Sequence, residues 1–259
     1  MKSLISKIAN TNIGIKIRNS LGFRPIPISF RGVIKSSVSD AFCWRTDSNF
    51  STIFKYTDIL NLFYKIDNSY VEFHFYTNKN KLIKRLKFNN LNYSNSLTID
   101  SKLLNGIKDY GTFYIYHFSD QKIKNNTVIA NRCYLGYSKN KQLHSFVHGN
   151  VLAKFKNLNN LKGKQQNSLD IIKTSYINNG NYKIQNYFKD FDKTELFFAN
   201  PTSEKIEFLI GKNKYILLKG CSKIIETTNQ NSINIKSNCL FLRPTIFNYK
   251  NEFIDVYHG

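Results

Sequence analysis

The segment SDAFCWRTD, residues 39–47, places the only tryptophan of the chain beside an arginine and two aspartates. An indole ring stacks well on the apolar face of a sugar, and a guanidinium with carboxylates binds sugar hydroxyls. Trp44, Arg45 and Asp47 are therefore candidate ligand contacts. The same residues would also suit a buried tryptophan with an Arg–Asp pair that closes a loop. Asp40 and Asp47 together carry the groups needed for acid/base cleavage of a glycoside.

A second candidate contact region is NRCYLGY, residues 131–137. Arg132 is one of the few arginines in the chain and is a candidate contact for an anionic ligand, with Tyr137 beside it. On a sheet, such an arginine more often pairs with a carboxylate of the neighbouring strand. Both interpretations remain open from the sequence.

Two of the five histidines lie in HSFVHGN, residues 144–150. His144 and His148 face the same side of a strand, and their four-residue spacing also brings them together on a helix. With His117 or His258 added by the fold, they would suit zinc or a related divalent metal. The segment itself contains no Asp, Glu or Cys, so we expect no cofactor and no stoichiometric metal. A metal-dependent enzyme stays as an alternative.

Common catalytic signatures are missing from the chain. It contains no P-loop, no G-x-G-x-x-G, no G-x-S-x-G and no H-E-x-x-H motif. This favours a protein that is not an enzyme of those classes.

The charge balance is strongly basic, with 38 Lys and Arg against 17 Asp and Glu and a formal net charge of +21. Such a charge predicts an anionic partner. However, the abundant Lys, Asn, Ile, Phe and Tyr all have AT-rich codons, so drift of an AT-rich genome explains most of the lysine. Aromatic residues interleaved with lysine, as in YIYHF and KRLKF, would suit single-stranded nucleic acid. Nucleic acid is therefore a possible partner that the sequence does not favour.

The cysteines and the apolar runs bear on the cellular compartment. The four cysteines, at positions 43, 133, 221 and 239, form no C-x-x-C pair. The first residues lack the apolar core of a signal peptide, and no apolar run reaches the roughly 18 residues of a membrane span. We expect a cytoplasmic protein with free thiols and no transmembrane segment.

The elements that must position these residues are mostly strands. An amphipathic helix is predicted within residues 1–23, followed by a β-rich domain over 24–156 and a polar loop or linker over 157–169. Residues 170–259 continue the β-rich pattern, either as a second domain or as the rest of one sandwich. One short additional helix is predicted near residues 100–108, with Asp100 as its N-cap.

The alternation of side chains is clearest in VEFHFYT, residues 71–77, where Val71, Phe73 and Phe75 alternate with more polar residues. A turn at 78–80 separates this run from LIKRLKF, so residues 71–88 predict a β-hairpin. The fold class predicted is mainly β, an antiparallel sandwich of the jelly-roll type.

The leading functional hypothesis is a non-catalytic β-sandwich module that binds carbohydrate or a protein partner. Its predicted contacts are Trp44, Arg45, Asp47, Arg132 and Tyr137. The alternatives are a metal-dependent enzyme, a nucleic-acid- or ribosome-associated protein, and a structural subunit that assembles with other chains or as a homo-oligomer.

Overall fold

The computed structural model describes residues 11, 13–14, 17, 35–121, 127–131, 133–149, 152–157, 169–170, 180–185, 191–202, 205–227, 232–239 and 242–259. The strands, in chain order, are β1 Lys35–Asp40, β2 Phe42–Arg45, β3 Phe50–Tyr56, β4 Ser69–Thr77, β5 Leu82–Asn89, β6 Asn95–Ile99, β7 Tyr110–Ser119, β8 Thr127–Asn131, β9 Tyr134–Lys139, β10 Ser145–His148, β11 Leu152–Asn157, β12 Leu169–Asp170, β13 Gly180–Gln185, β14 Lys193–Ala199, β15 Ile206–Ile210, β16 Asn213–Leu217, β17 Ser222–Thr227, β18 Ser232–Ser237, β19 Thr245–Lys250 and β20 Phe253–His258. One helix, α1, spans Ile59–Tyr64.

The described strands form five sheets of four strands each. Sheet I has the order β2–β7–β4–β5, sheet II β10–β9–β3–β6, sheet III β17–β14–β19–β20, sheet IV β13–β18–β15–β16, and sheet V β12–β11–β1–β8. All described pairs are antiparallel except β1 with β8. The predicted class, mainly β with antiparallel sheets, is confirmed.

Sheets I and II pack face to face through aromatic side chains. Phe54 of sheet II meets Phe113 and Phe73 of sheet I edge to face, with ring centroids 4.9 and 5.7 Å apart. The predicted alternation in β4 is present, since Val71, Phe73 and Phe75 all lie fully buried on one face. The predicted hairpin is also confirmed, because β4 pairs with β5 from Tyr70 to Tyr76.

Sheet III is shared between two cores. One of its faces supplies residues such as Leu196 and Phe198 to a core with sheet IV. Its other face carries Phe197, Phe247 and Tyr249, which belong to the same apolar cluster as the aromatic rings of sheets I and II. Sheet III therefore packs on sheets I and II through one apolar cluster and on sheet IV through another.

Two helix predictions need correction. The N-terminal helix over 1–23 is not confirmed, because helical backbone is described only at 13–14 and 17, and Ile13 and Ile17 are 71% and 54% exposed. At 100–108 the chain forms turns, although Asp100 does accept a hydrogen bond from the Leu103 N–H. A helix does not continue there because Asn105 and Gly106 both have positive φ, of 58° and 83°.

The polar stretch predicted over 157–169 follows β11, and β12 begins at residue 169. The residues between these two strands lie outside the described part of the chain, as does Arg132.

The burial of the four free cysteines leads to a prediction. Cys43, Cys133 and Cys239 are buried and Cys221 is half-buried. Burial raises the pKa of the Cys43 and Cys133 thiols, which disfavours the reactive thiolate. We expect a thiol reagent to label Cys221 in the native protein and the other three only in denaturant. Peptide mass analysis after labelling for a few minutes checks this, and fast native labelling of Cys43 would contradict it.

Candidate functional site

Trp44 lies in the core and not in a cleft. It is 0% exposed, and its indole N–H donates a hydrogen bond of 2.9 Å to the Tyr76 carbonyl oxygen. Gly111 of β7 lies opposite Trp44 in the β2–β7 register. A side chain at this position would collide with the indole. In this position both faces of the ring are covered, so stacking on a sugar would require the core to open.

Arg45 is also buried, with a side chain that is 3% exposed. It forms a two-point ion pair with Asp47, with Nε and Nη2 at 3.0 and 2.6 Å from the two carboxylate oxygens. Its Nη1 donates to Glu195 Oε2 at 2.6 Å and to the Tyr249 hydroxyl at 2.9 Å. Protein partners therefore accept four hydrogen bonds from the guanidinium, and two of these partners come from sheet III.

The groups around Glu195 stabilise its charged form. Burial alone would raise the pKa of Glu195, but Arg45, Tyr249 and Lys193 hold that pKa below its usual value of 4.5. Arg45 also lies over the Phe50 ring, with its Cζ 4.0 Å from the ring centroid. These contacts connect β2 to sheet III and leave the guanidinium buried among protein groups.

The other predicted contacts that the structure describes are buried or paired with protein groups. Tyr137 is fully buried, and its hydroxyl donates to the Cys43 carbonyl oxygen at 3.0 Å. Asp40 is 2% exposed, and its Oδ2 lies where a side chain on Gly149 would be. Asp47 is bound to Arg45. No geometry for an acid/base pair follows from these positions.

The histidine that lies next to His148 is not the one that the sequence pattern predicted. His144 and His148 are not close, because four residues of strand span about 13 Å. His117 is fully buried in β7. Instead, the fold brings His258 of β20 to His148 of β10, with Nε2 of His258 3.1 Å from Nδ1 of His148. No group of three or more His, Cys, Asp or Glu with metal-ligand geometry is found among the described residues.

The outer face of sheet II is a surface that the sequence analysis missed. Tyr134 and Phe146 are 58% and 44% exposed on neighbouring strands. The strand register places Phe146 opposite Gly136, and Tyr134 opposite both His148 and Lys55. Tyr134 and Phe146 are therefore diagonal neighbours on one face. We call this surface, made of Tyr134, Gly136, Phe146 and Lys55, the aromatic face.

Gly136 shapes the aromatic face. A Cβ atom at this position would lie 2.5 Å from Cε1 of Phe146 and 2.8 Å from its Cζ. The phenyl ring therefore lies down over the glycine backbone, which keeps the surface flat. In the sequence, the signal was a glycine between two tyrosines in YLGYSK, but only the register shows which ring lies over it.

The aromatic face is cationic at its border. Lys55 Nζ lies 4.9 Å from the centroid of the Phe146 ring. The four strands of sheet II contain no Asp and no Glu, since their sequences are SFVH, YLGYSK, FSTIFKY and NSLTI. The strands of sheet II therefore combine exposed aromatic rings with hydrogen-bonding side chains such as Ser96 and Thr98, and they carry no carboxylate.

No family model matches the chain, and no curated protein matches it. Among solved structures, it is similar to an α-L-rhamnosidase of Streptomyces avermitilis complexed with L-rhamnose. The identity is 7%, the TM-score is 0.26, and the match covers 87% of this chain and 26% of that chain. A TM-score of this size shows no shared fold. The chain's own sheets define its class, an antiparallel β protein with an exposed aromatic sheet face. No described helix has the length and apolarity of a membrane span.

Proposed function

We propose that the protein is a non-catalytic β-sandwich module that binds carbohydrate on the aromatic face of sheet II. The observation that carries this proposal is the pair of exposed rings, Tyr134 and Phe146, on a flat sheet surface. Sugar rings stack on such side chains through their C–H faces, while their hydroxyls bind polar groups around them. The binding surface thus differs from the buried cluster around Trp44 and Arg45, which the sequence favoured.

Two features favour binding over cleavage. Glycoside hydrolysis generally uses a pair of carboxylates beside the substrate, and the strands of sheet II carry none. The sheet also fixes the backbone of both residues, and an aromatic side chain has only two rotatable bonds, so little conformational entropy is lost when a ligand binds.

A protein partner on the same face is the second candidate. Leu143, two residues before β10, is 83% exposed. Exposed aliphatic side chains next to aromatic ones are typical of protein interfaces and are of little use to a sugar. The two candidates therefore differ in whether Leu143 contributes.

The proposal is tested by affinity electrophoresis and calorimetry with a panel of neutral and acidic polysaccharides at physiological salt. We expect Tyr134→Ala and Phe146→Ala each to weaken the affinity of the best glycan at least about tenfold, which is about 1.4 kcal/mol. Gly136→Ala should weaken it as well, because it displaces the ring while leaving all other groups in place. Phe253→Ala is the matched control, since Phe253 on sheet III has the same 58% exposure as Tyr134.

Several results would contradict the proposal. Binding of no glycan in the panel, or equal losses in Phe253→Ala and Tyr134→Ala, would exclude the aromatic face as a carbohydrate site. Loss of a protein partner in Leu143→Ala would favour the second candidate. Salt-resistant binding of single-stranded RNA through Tyr134 and Phe146 would assign the face to nucleic acid.

A further inference from the structure

We propose that His148 and His258 form a binding site for one divalent transition-metal ion where sheets II and III meet. Neither histidine is needed for the carbohydrate proposal, so this inference stands independently of it. The sequence predicted no metal because a third ligand was missing near HSFVHGN. The fold brings His258, 110 residues away, to the ring of His148, so a second imidazole is available from a distant part of the chain.

The separation of the two ring nitrogens suits a shared ion. Nδ1 of His148 and Nε2 of His258 are 3.1 Å apart. Imidazole nitrogens lie about 2.0–2.1 Å from zinc, so two of them on one ion at 90–109° are about 2.9–3.4 Å apart. The Gly149 carbonyl oxygen lies 2.9 Å from Nδ1 of His148 and offers a further oxygen donor beside that ring.

The hydrogen bonds of the pair are not all satisfied by the protein. A neutral imidazole has one donor and one acceptor nitrogen. If His148 Nδ1 carries its proton, it can donate to the Gly149 oxygen, and His258 then carries its proton on Nδ1, a buried atom with no hydrogen-bond partner. If His258 donates from Nε2, the lone pair of His148 Nδ1 faces the Gly149 oxygen instead. A cation between the two rings would bind both lone pairs and the carbonyl oxygen. His258 would then carry its proton on Nδ1, as it does in the first of these two states.

The charge and the donor atoms around the pair decide which ions can bind. The Arg243 guanidinium acts electrostatically on His258. Arg243 opposes a cation, so the ion must gain from strong coordinate bonds. Imidazole donors give such bonds to Cu²⁺, Ni²⁺ and Zn²⁺ and not to Mg²⁺ or Ca²⁺.

An ion at this position would connect two sheets. β10 is the edge strand of sheet II and β20 the edge strand of sheet III. Elsewhere along the same strands, Ser145 Oγ accepts a hydrogen bond of 2.8 Å from the Val256 N–H. A metal bound by His148 and His258 adds a second cross-link, and it should raise the melting temperature because it binds the folded chain preferentially.

The test uses the full chain without a histidine tag, first stripped with chelator. Ni²⁺ is titrated by calorimetry, and melting is followed with and without the ion. We expect one Ni²⁺ per chain and a higher melting temperature. His148→Gln and His258→Gln should each weaken binding at least tenfold and remove the rise in melting temperature. His144→Gln, in the same segment but outside the pair, should change neither.

The outcomes distinguish the metal site from the carbohydrate site. No Ni²⁺ binding by the native protein, or equal losses in His144→Gln and His148→Gln, would overturn the metal site. Melting of the variants without metal shows whether they are folded, so loss of the fold cannot imitate loss of the site. Phe146→Ala, which changes a ring opposite Gly136 and not opposite His148, should bind Ni²⁺ normally even where it no longer binds glycan.

Discussion

Replacing Arg45 by Met is expected to lower the free energy of unfolding by about 3–5 kcal/mol. The change removes the cation that Glu195 and Asp47 share and leaves the largely buried Glu195 carboxylate without its closest charged partner. It also removes the stacking of the guanidinium on Phe50. Because Arg45 lies in sheet I and Glu195 in sheet III, the loss should weaken the contact between sheet III and the rest of the described chain. Urea denaturation followed by circular dichroism measures the change.

Lys193→Met is the matched control. Lys193 also binds Glu195, at 2.9 Å, but its side chain is 39% exposed, so solvent screens the pair. We expect this variant to lose less than about 1 kcal/mol. Comparable losses in the two variants would contradict the importance of the buried arginine.

The pH dependence gives an independent readout of the same cluster. In the native protein the pKa of Glu195 lies below 4.5. A carboxyl with a lowered folded-state pKa contributes stability above its unfolded pKa, and that contribution is lost as the pH falls through the folded value. In Arg45→Met, burial continues to raise this pKa while its main opposing charge is gone. We therefore expect a smaller loss of stability below pH 4.5 in the variant than in the native protein.

Gly111→Ala is expected to have an effect of similar size, a loss of about 4 kcal/mol or more. The added Cβ would lie 2.1 Å from the Tyr76 carbonyl oxygen and 2.9 Å from the indole nitrogen of Trp44. The first neighbour is backbone in the middle of sheet I, so strands β4 and β7 must separate. The methyl group also enters the path of the hydrogen bond from Trp44 to Tyr76.

Trp44 reports on this change directly, because it is the only tryptophan in the chain. A red shift of its emission in folded Gly111→Ala would show that water reaches the indole. Gly136→Ala is the control, since its new Cβ meets the partly exposed ring of Phe146, which can move. We expect that variant to lose about 1 kcal/mol. An equally stable Gly111→Ala would mean that the close approach of β7 to Trp44 is not needed.

The sequence by itself determined the class of fold and much of the local structure. The alternation of Val71, Phe73 and Phe75 predicted both the β4–β5 hairpin and the buried face, because side chains of a strand point alternately to its two sides. The sequence also supported two interpretations of the region around Trp44, a ligand site and a closed loop with an Arg–Asp pair. The burial of Trp44 and the pairing of Arg45 with Asp47 correspond to the second of these.

Tertiary structure decided which residues from distant parts of the chain meet. Arg45 pairs with Glu195, 150 residues away, and His148 meets His258 instead of His144. Phe146 lies over Gly136 because β10 pairs with β9 in one particular register. The period of a strand predicts the face on which a side chain lies, but neighbouring strands and packed sheets are chosen by the sum of many weak apolar contacts. For that reason the aromatic face and the histidine pair could be found only in the folded chain.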